Sequence, residues 1–283
     1  MARISKLHTE EKLKLLEKYL KAYVNATKKA KERYYIDALA GDGQCEIKTP
    51  LTSKTKIIDG SPLIAIKTIP PFTKCFFVEI DKEKVETLSK LLKGFPQDRY
   101  EIKEGDCNIV IDEILSEVPK IAPCFAFIDP EGFEVDWSTY ERIANYKKDS
   151  KTKIELFILF PYNMAITRLL PLDRKKFDEE KATITFNRIL PDRSWQDVYK
   201  DRVEGRLKSK EMRERILGIF KNGLKKLGYK FVYKNRLIKS SKGRPLYDMF
   251  FATDHRAGAE IMEYVFGKDW IGGQISFLEK LTK

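Results

Sequence analysis

At 283 residues the chain is long enough for one large domain, or two small ones, with a real hydrophobic core. Its 42% apolar and 12% aromatic content excludes disorder, and no apolar run approaches the roughly 20 residues that cross a bilayer. The net charge of +12 favours an anionic partner, and the charged start, MARISKLHTEEKLKLL, lacks the apolar stretch of a signal peptide, so a cytosolic protein is expected.

Residues 9–24 place Leu13, Leu16, Leu20, Tyr23 and Val24 on one helical face, with Thr9 as cap and Glu10 and Glu11 in the first turn. After the basic run KKAKERY the pattern alternates between strand and helix. A first strand, 34–40, ends in Gly41-Asp42-Gly43, and a loop to Gly60 precedes a helix whose N-cap is expected at Ser61 with Pro62 at the first position. Strands follow at 75–80, 100–106, 124–129 and 154–160, with helices near 82–93, 108–117 and 137–146 between them. Strands that are nearly continuous apolar runs, each followed by a helix, predict a doubly wound, mostly parallel sheet covered on both faces.

Beyond Pro161 the alternation weakens. Residues 162–205 read as a helical insertion, with Asn163–Leu170 helical and Trp195 and Tyr199 forming a W-x-x-x-Y group. A basic helix at 209–227 can end at Gly228. The runs YKFVYKNRLI and PLYDMFFATD flank the turn-like SSKGR and predict an antiparallel hairpin, followed by a last helix from about Asp254 to Phe266. Five parallel strands closed by a hairpin give a seven-stranded sheet. Dinucleotide dehydrogenases usually continue with a sixth parallel strand, so the hairpin favours a methyltransferase-like arrangement. The expected organisation is a single domain over 1–283, with a helical extension at 1–32, the insertion at 162–205, and residues 206–283 completing the sheet.

Cys45, Cys75, Cys107 and Cys124 form no C-x-x-C pair, and three of them adjoin predicted strands, so they read as small buried hydrophobes. The only histidines are His8 and His255. No metal site is therefore expected, and chemistry falls to carboxylates, aromatics, backbone groups or a cofactor.

In a doubly wound sheet, ligands bind outside the carboxyl ends of the strands at the point where strand order reverses. At the first such end stand Asp37, Gly41 and Gly43, where glycine lets a ligand approach the backbone and a following helix N-terminus can face an anion. Position 46 is Glu, so the pattern is not G-x-G-x-x-G, which weakens a pyrophosphate reading. At the second end, Glu79 can accept from ribose hydroxyls or pair with a lysine. At the third, Asp106 can accept from an adenine amino group or cap the next helix. At the fourth, Asp129-Pro130-Glu131-Gly132-Phe133 forms a stiff turn whose carboxylate can orient an amino nucleophile and whose aromatic can stack on a flat substrate.

The ordered set IDALAGDG, DGSPLIAI, FFVEID, EGDCN, FIDPEGF and ILFPYNMA resembles the three-Cys-motif partner family, TcmP, over most of the chain, including the Trp195 region and FFATDHRAG. The resemblance implies a class I methyltransferase-like Rossmann fold that takes S-adenosyl-L-methionine (AdoMet). Asp37, Gly41 and Gly43 would lie near its methionine part, Glu79 at the ribose and Asp106 near the adenine. Asp129 and Pro130 match the start of the D-P-P-aromatic motif of amino-group methyltransferases, but Glu131 replaces the second proline and Phe133 comes one position late. Gly60-Ser61-Pro62 belongs to a family segment without an implied role. The family is named for its occurrence beside radical-AdoMet proteins with a three-cysteine motif, so such a protein is an implied partner, and the cysteines here need bind no cluster.

Residues 200–244 carry 16 Lys and Arg against 4 Asp and Glu, a surplus equal to the whole net charge. That is the footprint of a DNA- or RNA-binding face, with Lys225, Lys226, Arg236 and Arg244 as candidate phosphate contacts, or of a solvated lysine-rich surface. The expected activity is AdoMet-dependent methylation of nucleic acid. The alternative is a non-methylating AdoMet- and nucleic-acid-binding partner of a radical-AdoMet protein.

Overall fold

The computed structural model describes residues 4–5, 7–48, 55–150, 152–161, 166–239 and 245–267. In chain order the first half forms β1 (Ile4–Ser5), α1 (Leu7–Ala26), β2 (Tyr34–Asp37), β3 (Gln44–Lys48), β4 (Thr55–Asp59), α2 (Ser61–Lys67), β5 (Lys74–Glu79), α3 (Lys82–Leu92), β6 (Tyr100–Glu104), α4 (Cys107–Glu117) and β7 (Cys124–Ile128). Then come α5 (Trp137–Tyr146), β8 (Glu155–Phe160), α6 (Thr167–Leu169), α7 (Glu179–Ile189), α8 (Trp195–Val203), α9 (Ser209–Lys226), β9 (Phe231–Lys239), β10 (Pro245–Thr253) and α10 (Arg256–Gly267).

Seven strands pair in the order β6-β5-β2-β7-β8-β10-β9. The first five are mutually parallel, and β10 runs antiparallel to both β8 and β9. This is the expected class I methyltransferase-like Rossmann sheet, with the terminal hairpin folded in so that its second strand lies inside. The central strands are buried from end to end because helices cover both faces. Period-two alternation sorts their side chains. Tyr34, Ile36, Phe76, Ala126 and Ile158 face α4, α5 and α7–α9, whereas Tyr35, Phe77, Phe125, Phe127 and Phe157 face α1, α2, α3 and α10.

The apolar stripe expected in the first helix, Leu13, Leu16, Leu20, Tyr23 and Val24, is buried throughout. Tyr19 extends it, stacking on Phe125 at 5.1 Å and tilting on Phe251 at 5.0 Å. Thus α1 is a full layer over the middle of the sheet. The expected loop between Gly43 and Gly60 is instead largely an antiparallel hairpin, β3–β4, which pairs with β1 in a separate three-stranded sheet. Its alternation is short and mostly polar, so the sequence shows little of it.

In the insertion, Trp195 is buried against Phe186 and donates to the Asn187 Oδ1 at 3.2 Å, while the Tyr199 hydroxyl donates to the Pro171 carbonyl at 2.9 Å. The W-x-x-x-Y group is therefore a packing anchor. Of the expected helix Asn163–Leu170 only Thr167–Leu169 is observed, and 162–165 lie outside the described residues. Gly228 ends α9 with φ +93°, as expected. Farther up α9, Gly223 sits so close to Trp137 that an added Cβ would stand 2.5 Å from its Cη2 and 2.7 Å from the Pro191 Cγ. Gly223→Ala should destabilise the fold by about 1–3 kcal/mol through overpacking, read as a lower urea midpoint at unchanged slope. A midpoint equal to wild type would show that α9 is not seated this tightly. Among the described residues no helix is long and apolar enough to cross a membrane.

Candidate active site

Strand order reverses between β2 and β7. Their other parallel neighbours, β5 and β8, lie on opposite sides, and the crossing helices change face there. The carboxyl ends of β2, β5, β6 and β7 therefore open one crevice. The structure brings Asp37, Gly41, Gly43, Glu79, Asp106 and Asp129 to this single end of the sheet.

The turn after β2 is built by glycine. Gly41 and Gly43 adopt φ of +68° and +87°, the left-handed region that side chains rarely tolerate. A Cβ on Gly41 would meet no atom within 4 Å, so the turn leaves open space, whereas one on Gly43 would strike Leu88 at 2.8 Å. Hydrogen bonds from Ala38 N to the Phe127 carbonyl and from Ala40 N to the Val78 carbonyl hold the turn between its neighbours. No helix follows it directly. The hairpin intervenes, and Gly60 N then donates to the Gly43 carbonyl at 2.8 Å, bringing the start of α2 back to the turn. Gly60, not Ser61, occupies the N-cap and, having no side chain, makes no side-chain cap bond; Ser61 is the first helical residue and lies beside Asp37.

Asp37 is fully buried. Burial pushes its carboxyl up to about 7, the Ser61 and Tyr35 hydroxyls pull it back, and the Asp129 charge raises it further. Its Oδ2 accepts from the Tyr35 hydroxyl at 3.1 Å, while Oδ1 is buried with no partner in hydrogen-bond geometry among the described residues. A buried acceptor of this kind at a crevice wants a donor.

Glu79 ties two strand ends together. One carboxylate oxygen accepts from Gly41 N at 2.8 Å and the other from Asp81 N at 2.9 Å, with the Lys84 Nζ 3.9 Å away. Two backbone donors fix its orientation, and its remaining lone pairs can accept hydroxyl protons. Asp106 caps α4 through Asn108 N at 2.8 Å, which occupies one oxygen and leaves the other. Sequence reasoning missed Ile80 and Ile109, which follow these acids by one and three residues and are 67% and 74% exposed. Ile80 directly precedes the N-cap Asp81 of α3, and Ile109 lies in the first turn of α4. The acids, the glycine turn with its open space and two bare isoleucines fit a cofactor with an ammonium, a ribose and a flat apolar ring.

The turn from Asp129 to Phe133 is braced from several directions. Asn108 donates to the Glu134 carbonyl at 2.6 Å and accepts from Asp136 N at 2.9 Å and the Thr139 hydroxyl at 2.7 Å. The Glu134 carboxylate accepts from Gly132 N at 2.7 Å, and Arg188 of α7 donates to the Phe133 carbonyl at 2.7 Å. Pro130 is buried. Phe133 already has one ring partner within the protein. It is half-buried and meets Phe186 edge-on at 6.2 Å, because the insertion supplies an apolar surface invisible from the local sequence. Most unexpectedly, Lys12 of α1 reaches across 117 residues to donate to the Asp129 Oδ2. Lysine and aspartate side chains are only 15% and 16% exposed. Burial alone would lower the Lys12 ammonium, but the charge and hydrogen bond of Asp129 outweigh it and raise it.

The basic stretch is divided between both ends of the sheet. Lys225 and Lys226 are exposed at the last turn of α9, from which the chain enters β9 at Phe231, opposite Thr253. That is where the parallel strands begin, about 17 Å of strand away from the crevice. Arg213, nearer the other end of α9, pairs with Asp248, which faces Phe160 at the carboxyl end of β8. Arg206 and Arg215 share Asp201, so part of the excess is neutralised locally. Arg236 lies opposite Met249 in the hairpin with its side chain outside the described residues, as is the whole of Arg244. The cysteines behave as expected: Cys75, Cys107 and Cys124 are buried, with the thiols of Cys107 and Cys124 pushed by burial up to about 12. Among the described residues no group of His, Cys, Asp and Glu is arranged to hold a metal ion.

No protein-family model matches the sequence, and the search of curated proteins returns no match. Solved structures show a distant likeness. A Legionella pneumophila protein of family DUF519 is 13% identical, with 89% of this chain and 91% of that one covered at a TM-score of 0.45. An O-methyltransferase from Bacillus cereus in complex with SAH is 14% identical, with 84% and 79% covered at 0.40. The methyltransferase domain of bacterial CtHen1-C is 13% identical, with 84% and 98% covered at 0.39.

Proposed function

We propose that the protein is an AdoMet-dependent methyltransferase acting on nucleic acid, of the three-Cys-motif partner type, with the whole chain working as one domain in the cytoplasm. The observation that carries this reading is the Glu79 carboxylate holding Gly41 N at the carboxyl ends of β5 and β2, beside the buried, half-partnered Asp37. In this reading Asp37 accepts from the ammonium of the cofactor, and the Gly41–Gly43 turn approaches its methionine part. Glu79 takes the ribose hydroxyls, Asp106 the adenine amino group, and Ile80 and Ile109 cover the adenine face. AdoMet supplies an electrophilic methyl group on a sulfonium. Asp129 and Pro130 orient the accepting atom, so that much of the acceleration comes from positioning. The surplus of basic residues at 200–244 supports an anionic polymer as substrate.

The departure of D-P-E-G-F from the amino-methyltransferase motif, with Phe133 packed on Phe186, favours a second reading. Here the protein binds AdoMet and nucleic acid without methylating, as partner of a radical-AdoMet three-Cys-motif protein. Calorimetric titration with AdoMet, S-adenosylhomocysteine and NAD, followed by labelled-methyl transfer to pooled DNA and RNA, separates the two. Binding of AdoMet and its product but not NAD, with transfer, is the expected result. Binding without transfer moves the assignment to the partner reading, and preference for NAD overturns both.

A further inference from the structure

The Lys12–Asp129 contact bears on which atom accepts the methyl group. An amine acceptor gains positive charge as it is methylated, which a lone carboxylate welcomes and an adjoining ammonium opposes. A hydroxyl acceptor must instead shed a proton and develop negative charge, which a carboxylate base and a nearby ammonium both assist. The lysine is not a loose surface cation. It is mostly buried, and Leu13, Leu16, Tyr19 and Leu20 on the same helix are fully packed against the sheet. Tyr247 of β10 and Cys45 of β3 lie in the neighbourhood of the ammonium. Resting on the methyltransferase reading above, we infer that Lys12 and Asp129 form a base–cation pair that selects a ribose hydroxyl as acceptor, which makes RNA the substrate. The hydroxyl proton passes to the Asp129 carboxylate. The oxygen–methyl bond forms as the sulfur–methyl bond of the sulfonium donor breaks, leaving its electron pair on sulfur, and Lys12 keeps its proton throughout.

The test uses the full chain and three proteins: wild type, Lys12→Met and Asp129→Asn. Labelled AdoMet is supplied with a mixture of RNA and DNA oligonucleotides, and the products are digested to nucleosides. Methyl on ribose oxygen in RNA alone is expected, with a loss of about 10²-fold or more in either variant. Methyl on a base nitrogen, or equal labelling of DNA, overturns the inference while leaving the methyltransferase reading intact. A second readout needs no turnover, namely the ratio of AdoMet to S-adenosylhomocysteine affinity by calorimetry. Removing an ammonium beside the sulfonium should shift that ratio toward AdoMet in Lys12→Met, by about 10-fold. A lysine that only tethers α1 would weaken both ligands alike, and an unchanged ratio overturns its placement at the reacting atoms. Failure of wild type to bind either ligand instead removes the reading on which the inference rests.

Discussion

Glu79→Ala is expected to lower S-adenosylhomocysteine affinity by at least about 10²-fold while leaving the chain folded. The variant removes the proposed acceptor for the ribose and also abandons two backbone donors, Gly41 N and Asp81 N. Each orphaned donor costs about 1–3 kcal/mol, so the Gly41–Gly43 turn should relax away from its bound shape. Because about 1.4 kcal/mol is tenfold in affinity, the combined loss corresponds to at least about 10²-fold. Glu79→Gln should fall between, since its amide keeps one acceptor but turns an NH2 group toward a second donor. Calorimetry checks the affinity, and circular dichroism confirms that the sheet persists. Binding within threefold of wild type in a folded Glu79→Ala protein would remove the ribose assignment.

Glu155→Gln is expected to stabilise the protein by an amount that grows between about pH 4.5 and 7 and is complete above that. Glu155 opens β8 at the end of the sheet away from the crevice, buried between the Tyr19 hydroxyl, which donates to it, and the Thr253 hydroxyl at 3.1 Å. Burial drives its carboxyl up to about 7, against the opposing pull of the two hydroxyls, and Asp254 adds to the rise. An acid whose folded value lies above its unfolded value of about 4.5 favours folding fully below that value. The contribution is lost as pH climbs through about 7, a swing on the order of 3 kcal/mol. Glutamine keeps the hydrogen-bonding shape and cannot ionise. The variant should therefore lie within about 1 kcal/mol of wild type at pH 5 and exceed it at pH 8.5 by up to about 3 kcal/mol in denaturant unfolding. Asp37 is raised in the same direction but is common to both proteins and cancels in the difference. An advantage that does not grow with pH would show that Glu155 ionises freely in the folded state.

What the sequence determined by itself is everything governed by local period and chain order. Near-continuous apolar strands alternating with amphipathic helices dictate a parallel sheet covered on both faces, because only that arrangement buries both sides of each strand. The late hairpin dictates its antiparallel closure. Once strand order is known, the acids and glycines at 37–43, 79, 106 and 129 must gather at one end, since parallel strands place all their carboxyl termini together. Tertiary structure alone decided what those residues touch. The β3–β4 hairpin separates the glycine turn from its helix, and the Gly60–Gly43 hydrogen bond brings them back together. Ser61, a plausible cap by local rules, is instead the first residue of α2 and lies beside the buried Asp37. Phe133 packs on Phe186 of α7, far along the chain, and the basic stretch divides between the two ends of the sheet because α9 and β9 run along its length. Lys12 reads in sequence as one more solvated lysine, and the layer formed by α1 carries it to Asp129. Contacts between residues far apart in the chain leave no periodic trace, and in this protein they set what surrounds Asp129.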